Sequence, residues 1–352
     1  MSGSPPTEFK GPADARAPAG GGPDLNKVLI TGGAGFIGNH LARALLKQGR
    51  RVMVVDDLST GLQSNIVDLE QNPGFRLYVE TIRNEAVMEK LMQECGAVFH
   101  LASAVGVRLI MERPVYTIDS IYQGTEVVLR LARRYRNRVL LTSTSEVYGK
   151  SPDVPLREDG DRLEGSTSKH RWAYACAKAL DEFMALAHWK ETRLPVVVVR
   201  LFNTVGPRQR GQYGMVLPRF VEAALNGADL LVHGDGTQSR CFCHVADVVQ
   251  ALITLMDSDK CLGQVFNVGS TREISIKDLA ARTIKRLGSR SKIRFVRYED
   301  VFGDGFEDMM KRVPSLDKVK AALGWEPRLD IDAIIDDIAN HLRSGDKGSA
   351  TA

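Results

Sequence analysis

Tyr174 and Lys178 are the pair in this chain whose types and spacing most directly suggest chemistry. They lie in Arg171-Trp172-Ala173-Tyr174-Ala175-Cys176-Ala177-Lys178. On a helix, positions i and i+4 share a face. An ammonium beside a phenol favours the phenolate and lowers its pKa from about 10. Tyr174 would then serve as a base for a hydroxyl near neutral pH, with Lys178 reaching the same bound ligand. Taken alone, a Tyr and a Lys at this spacing read as two side chains on a solvated helix. A nucleotide site upstream overturns that reading.

The upstream site is Lys27-Val28-Leu29-Ile30-Thr31-Gly32-Gly33-Ala34-Gly35-Phe36-Ile37-Gly38. The apolar run is a buried strand, and a helix begins at Phe36. Gly32 supplies positive φ for the turn, and Gly35 clears the approach of a pyrophosphate. Gly38 lets helix and strand pack closely, while Phe36 and Ile37 open a helix whose amides face the phosphates. A second strand ends at Asp56, roughly 20 residues on, where an acid meets a ribose diol. Asp56 would repel a 2′-phosphate, so NAD is favoured over NADP.

These groups need a scaffold that gathers them. Strands at 27–31, 51–56, 75–79, 97–101, 138–143 and 196–200 alternate with helices at 36–48, 84–94, 115–135 and 172–191. That alternation predicts an α/β fold, a doubly wound Rossmann-type parallel sheet. Ligands on such sheets lie at the carboxyl ends of the strands. Gly32–Gly38, Asp56–Gly61, His100-Leu101-Ala102-Ser103, Thr142–Glu146 and Leu201–Gly206 all fall there. The expected NAD-binding domain covers 26–200, with later segments at about 238–270 returning to it. A smaller mixed α/β lobe, 201–343, is expected to bind the other substrate. It holds helices at 215–226, 246–257, 275–287, 314–323 and 330–342 and strands at 264–268 and 292–297. Residues 1–25 and 344–352 have the composition of disordered tails.

The 352 residues carry a net charge of +4, too small and scattered to argue for nucleic acid or a membrane surface. No apolar run reaches the ~18 residues of a membrane span, and no secretory signal stands at the start. Five cysteines (Cys95, Cys176, Cys241, Cys243, Cys261) lack a metal spacing. They fit a reducing cytoplasm, and no metal is expected.

Gly-x-x-Gly-x-x-Gly at 32–38, Ser143-Thr144 at a strand end and Tyr-x-x-x-Lys at 174–178 together resemble the extended short-chain dehydrogenase/reductase family. These are NAD-dependent nucleotide-sugar epimerases, dehydratases and decarboxylases. The resemblance covers about 26–343. It implies that Thr144 hydrogen-bonds a sugar 4-hydroxyl, that Tyr174 deprotonates it, and that C4 gives a hydride to NAD. It also implies that Asn203 touches the substrate phosphates and Arg240 clamps the diphosphate. A homodimer through the helices at 115–135 and 172–191 follows by the same analogy.

Thr144-Ser145-Glu146 separates the branches. Family 4,6-dehydratases have Asp at the position of Ser145, and a serine is no acid at neutral pH. Thr-Ser-Glu instead resembles the UDP-glucuronate decarboxylases. Arg171, three residues before Tyr174, matches their arginine and would meet a C6 carboxylate with paired hydrogen bonds; a surface arginine or an inter-helix salt bridge is the alternative. Arg312, in Met310-Lys311-Arg312-Val313-Pro314, aligns with an arginine implicated in their catalysis, and Glu146 or Arg312 would manage the proton delivered to C5. Three functions stay open: a UDP-glucuronate decarboxylase, first; a UDP-sugar 4-epimerase; and a non-catalytic NAD-binding module. Two positions depart from the family pattern. Thr81 stands where many members have Asp, and Ile121 where many have Asn. His100 and Trp172 read as packing residues, and His244 is equally open to either role.

Overall fold

The computed structural model describes residues 23–344 apart from 105–109, 111, 212–214, 299, 301–308 and 310. Of the tails expected at 1–25 and 344–352, residues 1–22 and 345–352 lie outside the described residues. The first half runs β1 (Lys27–Thr31), α1 (Phe36–Lys47), β2 (Arg51–Asp56), β3 (Phe75–Val79), α2 (Glu85–Glu94), β4 (Ala97–His100), α3 (Pro114–Tyr135), β5 (Arg138–Thr144), α4 (Arg171–Thr192) and β6 (Val196–Leu201). The second half runs β7 (Thr204–Val205), α5 (Val216–Leu225), β8 (Leu230–His233), β9 (Ser239–Cys241), β10 (Cys243–His244), α6 (Val245–Asp257), β11 (Gln264–Val268), β12 (Glu273–Ser275), α7 (Ile276–Leu287), β13 (Ile293–Val296), α8 (Asp317–Leu323) and α9 (Ile331–Arg343).

Seven strands form one sheet in the order β11-β6-β5-β4-β1-β2-β3. Every pairing in it is parallel. The chain moves outward from β1 to β3, returns to β4, then continues the other way. The crevice at that reversal, between β1 and β4, opens at the carboxyl ends of both strands. Successive side chains alternate between faces. Val28 and Ile30 pack with Leu41, Leu45, Val248 and Leu252 of α1 and α6. Leu29 points the other way, toward Met88, Val128 and Ala185 of α2, α3 and α4. Burying each such side chain stabilises the fold by roughly 1.5–3 kcal/mol. A separate apolar cluster joins α5, α7 and α9 to β8 through Leu217, Phe220, Val232, Leu279, Ile334 and Ile338.

The doubly wound parallel sheet is the one the alternation predicts. One expected helix is shorter than its pattern. The helix read at 314–323 begins only at Asp317. Pro314 is instead bridged to Leu156: the Leu156 amide donates to Val313, and the Ser315 amide donates back to Leu156. This pairing holds residues 313–315 extended and delays the helix.

Candidate active site

A cavity of about 540 Å³ lies over the carboxyl ends of the central strands and reaches into the region around α5 and β8. Its walls include Gly32, Gly35, Phe36, Ile37, Gly38, Asp56, Leu101, Ala102 and Ser103 at one end. Thr144, Glu146, Arg171, Tyr174, Lys178, Asn203, Arg240 and Arg312 line the rest of its course. Every candidate from the sequence therefore faces one space.

At the glycine end, Gly32 has φ +72, and a Cβ there would stand 2.8 Å from the Ala102 amide nitrogen. A Cβ on Gly38 would stand 2.4 Å from the Gly32 carbonyl oxygen. Turn, strand and helix thus touch backbone to backbone. Gly35 caps α1, whose first turn carries no acidic side chain, so its amides and dipole can meet an anion. Asp56 is 7% exposed. Its carboxylate accepts the Ala34 and Leu58 amides, each at 2.9 Å. Burial raises its pKa, and those amides oppose the shift. Each oxygen retains lone-pair capacity for a further donor.

His100 fixes the neighbouring strand end. Its Nδ1 is 2.7 Å from Thr31 Oγ1 and its Nε2 is 3.0 Å from Thr125 Oγ1. Burial lowers its pKa to about 3, so the ring is neutral and structural. Thr31 Oγ1 in turn accepts the Ala102 amide at 3.2 Å. The Ser103 hydroxyl is buried and lies beside the Tyr174 phenol.

Tyr174 and Lys178 share the inner face of α4, 9% and 3% exposed. The expectation that Lys178 lowers the pKa of Tyr174 does not hold in this arrangement. The Lys178 ammonium donates to Asp181 Oδ2 at 2.7 Å, one turn further on. A buried ammonium needs a carboxylate, and Asp181 supplies it from the same helix. The Tyr174 pKa is raised instead, first by burial and next by the charge of Glu146. The Thr144 and Ser103 hydroxyls beside the phenol act in the opposite direction. Ile121 belongs to the apolar packing around this phenol, together with Ile110 and Ala177. Thr81 lines the glycine end of the cavity.

Glu146 sits in the short helical turn Ser145–Tyr148 that follows β5. Its Oε2 accepts from Arg171 at 3.1 Å, and its Oε1 accepts from Arg312. Arg171 does form an ion pair, but within the cavity wall. Two guanidiniums thus converge on one carboxylate. Arg312 also keeps a buried Nε–H without an acceptor among the described residues. The trio is therefore suited to a further anionic group.

Asn203 has φ 30, and its amide donates to the Cys241 carbonyl at 3.2 Å. Arg240 is 7% exposed, with one nitrogen donating to the Ser239 carbonyl at 2.8 Å. His244 is structural: its Nδ1 accepts the Ala246 amide at the start of α6, and its Nε2 faces Asp337 at 2.9 Å. Trp172 is 2% exposed and packs beneath Gly165.

Arg208, Gln209, Arg219, His233, Phe242 and Tyr298 also line the cavity, and sequence reasoning did not select them. Arg219 lies 3.4 Å from the His233 ring nitrogen, and burial lowers its pKa. The sequence signal was faint: a basic residue inside the mostly apolar Val216–Leu225 helix.

Residues 29–338 match the family model described as GDP-mannose 4,6 dehydratase. A UDP-N-acetyl-alpha-D-glucosaminuronate decarboxylase from Bacillus cytotoxicus is 42% identical over 304 residues, 86% of this chain and 93% of the relative. UDP-glucuronic acid decarboxylase 1 from Xenopus tropicalis is 36% identical over 321 residues, 91% of this chain and 73% of the relative. Among solved structures, a UDP-glucuronic acid 4-epimerase from Bacillus cereus, in complex with UDP-glucuronic acid and NAD, superposes with a TM-score of 0.81. It is 26% identical, covering 90% of this chain and 99% of that one.

Proposed function

The chain belongs to the GDP-mannose 4,6 dehydratase family of extended short-chain dehydrogenases/reductases, and from that premise we propose that it is an NAD-dependent decarboxylase of a UDP-linked uronic acid. The observation that carries this reading is Glu146 gripped by Arg171 and Arg312 in the cavity that also holds Tyr174. A cationic pair beside a sugar-oxidising phenol suits a substrate that brings its own carboxylate.

The cradle fits a dinucleotide, because Gly32 and Gly38 leave no room for side chains where the turn meets helix and strand. Gly35 and the amides of Phe36 and Ile37 would hold the pyrophosphate, and Asp56 the adenosine ribose. Leu101, Ala102, Ser103, Tyr174 and Lys178 would hold the nicotinamide half. Once bound, NAD supplies a hydride acceptor, and later a donor, for the sugar C4.

The chain's own residues do the rest. Thr144 would hydrogen-bond the 4-hydroxyl and Tyr174 would take its proton. The oxidised C4 is then β to the C6 carboxylate. The C5–C6 bond breaks, carbon dioxide leaves, and the electron pair passes into an enolate. Tyr174 and Thr144 would donate to that enolate oxygen. Glu146 or Arg312 would deliver the proton to C5. Asn203 and Arg240 would hold the diphosphate, leaving the sugar toward Tyr174. Dehydration is disfavoured, since Ser145 offers only a hydroxyl where an acid is needed.

A second reading, 4-epimerisation, draws on the likeness to the Bacillus cereus 4-epimerase. Incubation with UDP-glucuronate and UDP-N-acetylglucosaminuronate, with UDP-glucose and UDP-galactose as controls, tests both. The expected result is carbon dioxide from a uronate and none from the neutral sugars. A uronate converted to its 4-epimer with no gas released would replace the first reading with the second. NAD binding without any turnover would leave only a binding module.

We further infer a homodimer through α3 and α4, on the strength of apolar side chains these helices leave exposed, and a cytoplasmic setting, in keeping with five free cysteines. We assign the dinucleotide to the region of the large sheet and the sugar to the region around α5 and β8.

A further inference from the structure

We propose that Asn267, outside the cavity wall, is a positioning residue that sets Glu146 against Arg312; this rests on the decarboxylase reading above. Asn267 lies on β11, directly across from Arg200 of β6, and is fully buried. Its side chain uses both ends. The amide oxygen accepts the Tyr148 hydroxyl at 2.7 Å. The amide nitrogen donates to the Leu156 carbonyl at 2.9 Å and to the Ser315 carbonyl at 3.3 Å. Its backbone amide donates to Glu158 Oε1 at 2.8 Å.

Those partners lead to the reacting groups. Tyr148 ends the same short turn that carries Glu146. Ser315 follows Arg312 in the extended segment that Leu156 pairs with through two backbone bonds of 2.8 Å. One carboxamide therefore ties the Glu146 turn to the Arg312 segment, 166 positions apart in the chain. The anchor is rigid. Asn267 is fixed in the parallel sheet, and the Arg200 guanidinium packs 4.7 Å over the Tyr148 ring while gripping buried Glu182. Among natural side chains only Asn or Gln offers an acceptor and two donors from one planar group, and Gln would overrun this site by one methylene.

The two halves of the proposed reaction separate the roles. Thr144, Tyr174 and Lys178 serve C4 oxidation: α4 carries Tyr174 and Lys178, and Thr144, which caps the Glu146 turn through its hydroxyl, is itself held in β5 by pairing with Leu201 of β6. Glu146 and Arg312 serve carbon dioxide loss and C5 protonation. Loosening Asn267 should therefore slow the second half and spare the first.

Tyr148→Phe cuts the tie to the Glu146 turn and keeps the ring. Asn267→Asp keeps the acceptor and loses the donors to Leu156 and Ser315. In single turnovers with UDP-uronate, NADH appearance should stay within about threefold of wild type. Carbon dioxide release should fall about 10- to 100-fold, as small misplacements do, and 4-keto product should accumulate. Equal loss of both steps, or loss of neither, would overturn the assignment. Hydrogen exchange at the Leu156 and Ser315 amides provides a readout independent of turnover. It should quicken at least about tenfold in Asn267→Asp, as local opening becomes easier, and unchanged exchange would also overturn it. Wild type that releases no carbon dioxide would refute the decarboxylase reading, and the exchange result would then decide the tie alone.

Discussion

Burial first, and the carboxylate of Glu146 second, hold the Tyr174 phenol above its ordinary range. Glu146→Gln removes that negative charge and leaves Arg171 and Arg312 without their shared partner. Both changes favour the phenolate, so the Tyr174 pKa should fall. The acid limb of the pH–rate profile for C4 oxidation, read as NADH formed in a single turnover, should move down by about one unit. A limb that stays in place or moves up would show that Glu146 does not act on the phenol. The Tyr174–Lys178 spacing was legible in the sequence, and so were the arginines once the resemblance was drawn. The direction of the ammonium was not. Asp181, three residues after Lys178, competes for it, and only burial of all three groups decides the contest. Arg219 and His233 were illegible for another reason: their place in the wall comes from how α5 meets β8.

The glycine turn does its work through the elements it joins. A methyl group on Gly38 would meet the Gly32 oxygen at 2.4 Å and the Gly33 Cα at 2.6 Å. Both obstacles are backbone, so α1 itself would have to retreat from β1. Gly38→Ala should cost about 1–3 kcal/mol of stability, the usual range for overpacking. Moving the amides of α1 away from the pyrophosphate should also weaken NAD binding at least about tenfold, a loss of 1.4 kcal/mol or more. Thermal unfolding without cofactor and titration with NAD measure the two effects separately. Wild-type affinity in this variant would remove the turn from the proposed cofactor site. The central strands β1, β2, β4, β5 and β6 were readable because each is a short apolar run buried on both faces of a parallel sheet. The pairs β7–β10 and β9–β12 were not. They are two or three residues long, and their partners lie far off in sequence. The delayed start of α8 has the same origin, since Leu156 claims the backbone of Val313 and Ser315 before the helix can begin.

At the scale of the whole molecule, α3 and α4 present an apolar face that the described fold does not cover. Val115, Ile118 and Tyr122 follow one another at i, i+3 and i+7 on α3, with exposures of 71%, 41% and 42%. Leu180 and Phe183 continue the exposed apolar surface on α4 at 45% and 66%. Single exposed apolar residues are ordinary, but a contiguous set on two packed helices marks an association site. A second copy of the chain is the occupant proposed here, because a two-fold axis would set the same pair of helices against itself and bury every one of these residues twice. The same doubling makes the interface vulnerable. Phe183→Glu places two like charges in the contact, each losing its water. Sedimentation equilibrium should give twice the 38.7 kDa chain mass for the wild type and one chain mass for Phe183→Glu. Tyr174 and Lys178 lie on the buried, cavity-facing side of α4, so the separated chain should still bind NAD. A wild type that sediments as one chain at micromolar concentration would reject the dimer while leaving the proposed chemistry untouched, since every side chain assigned to it comes from a single chain.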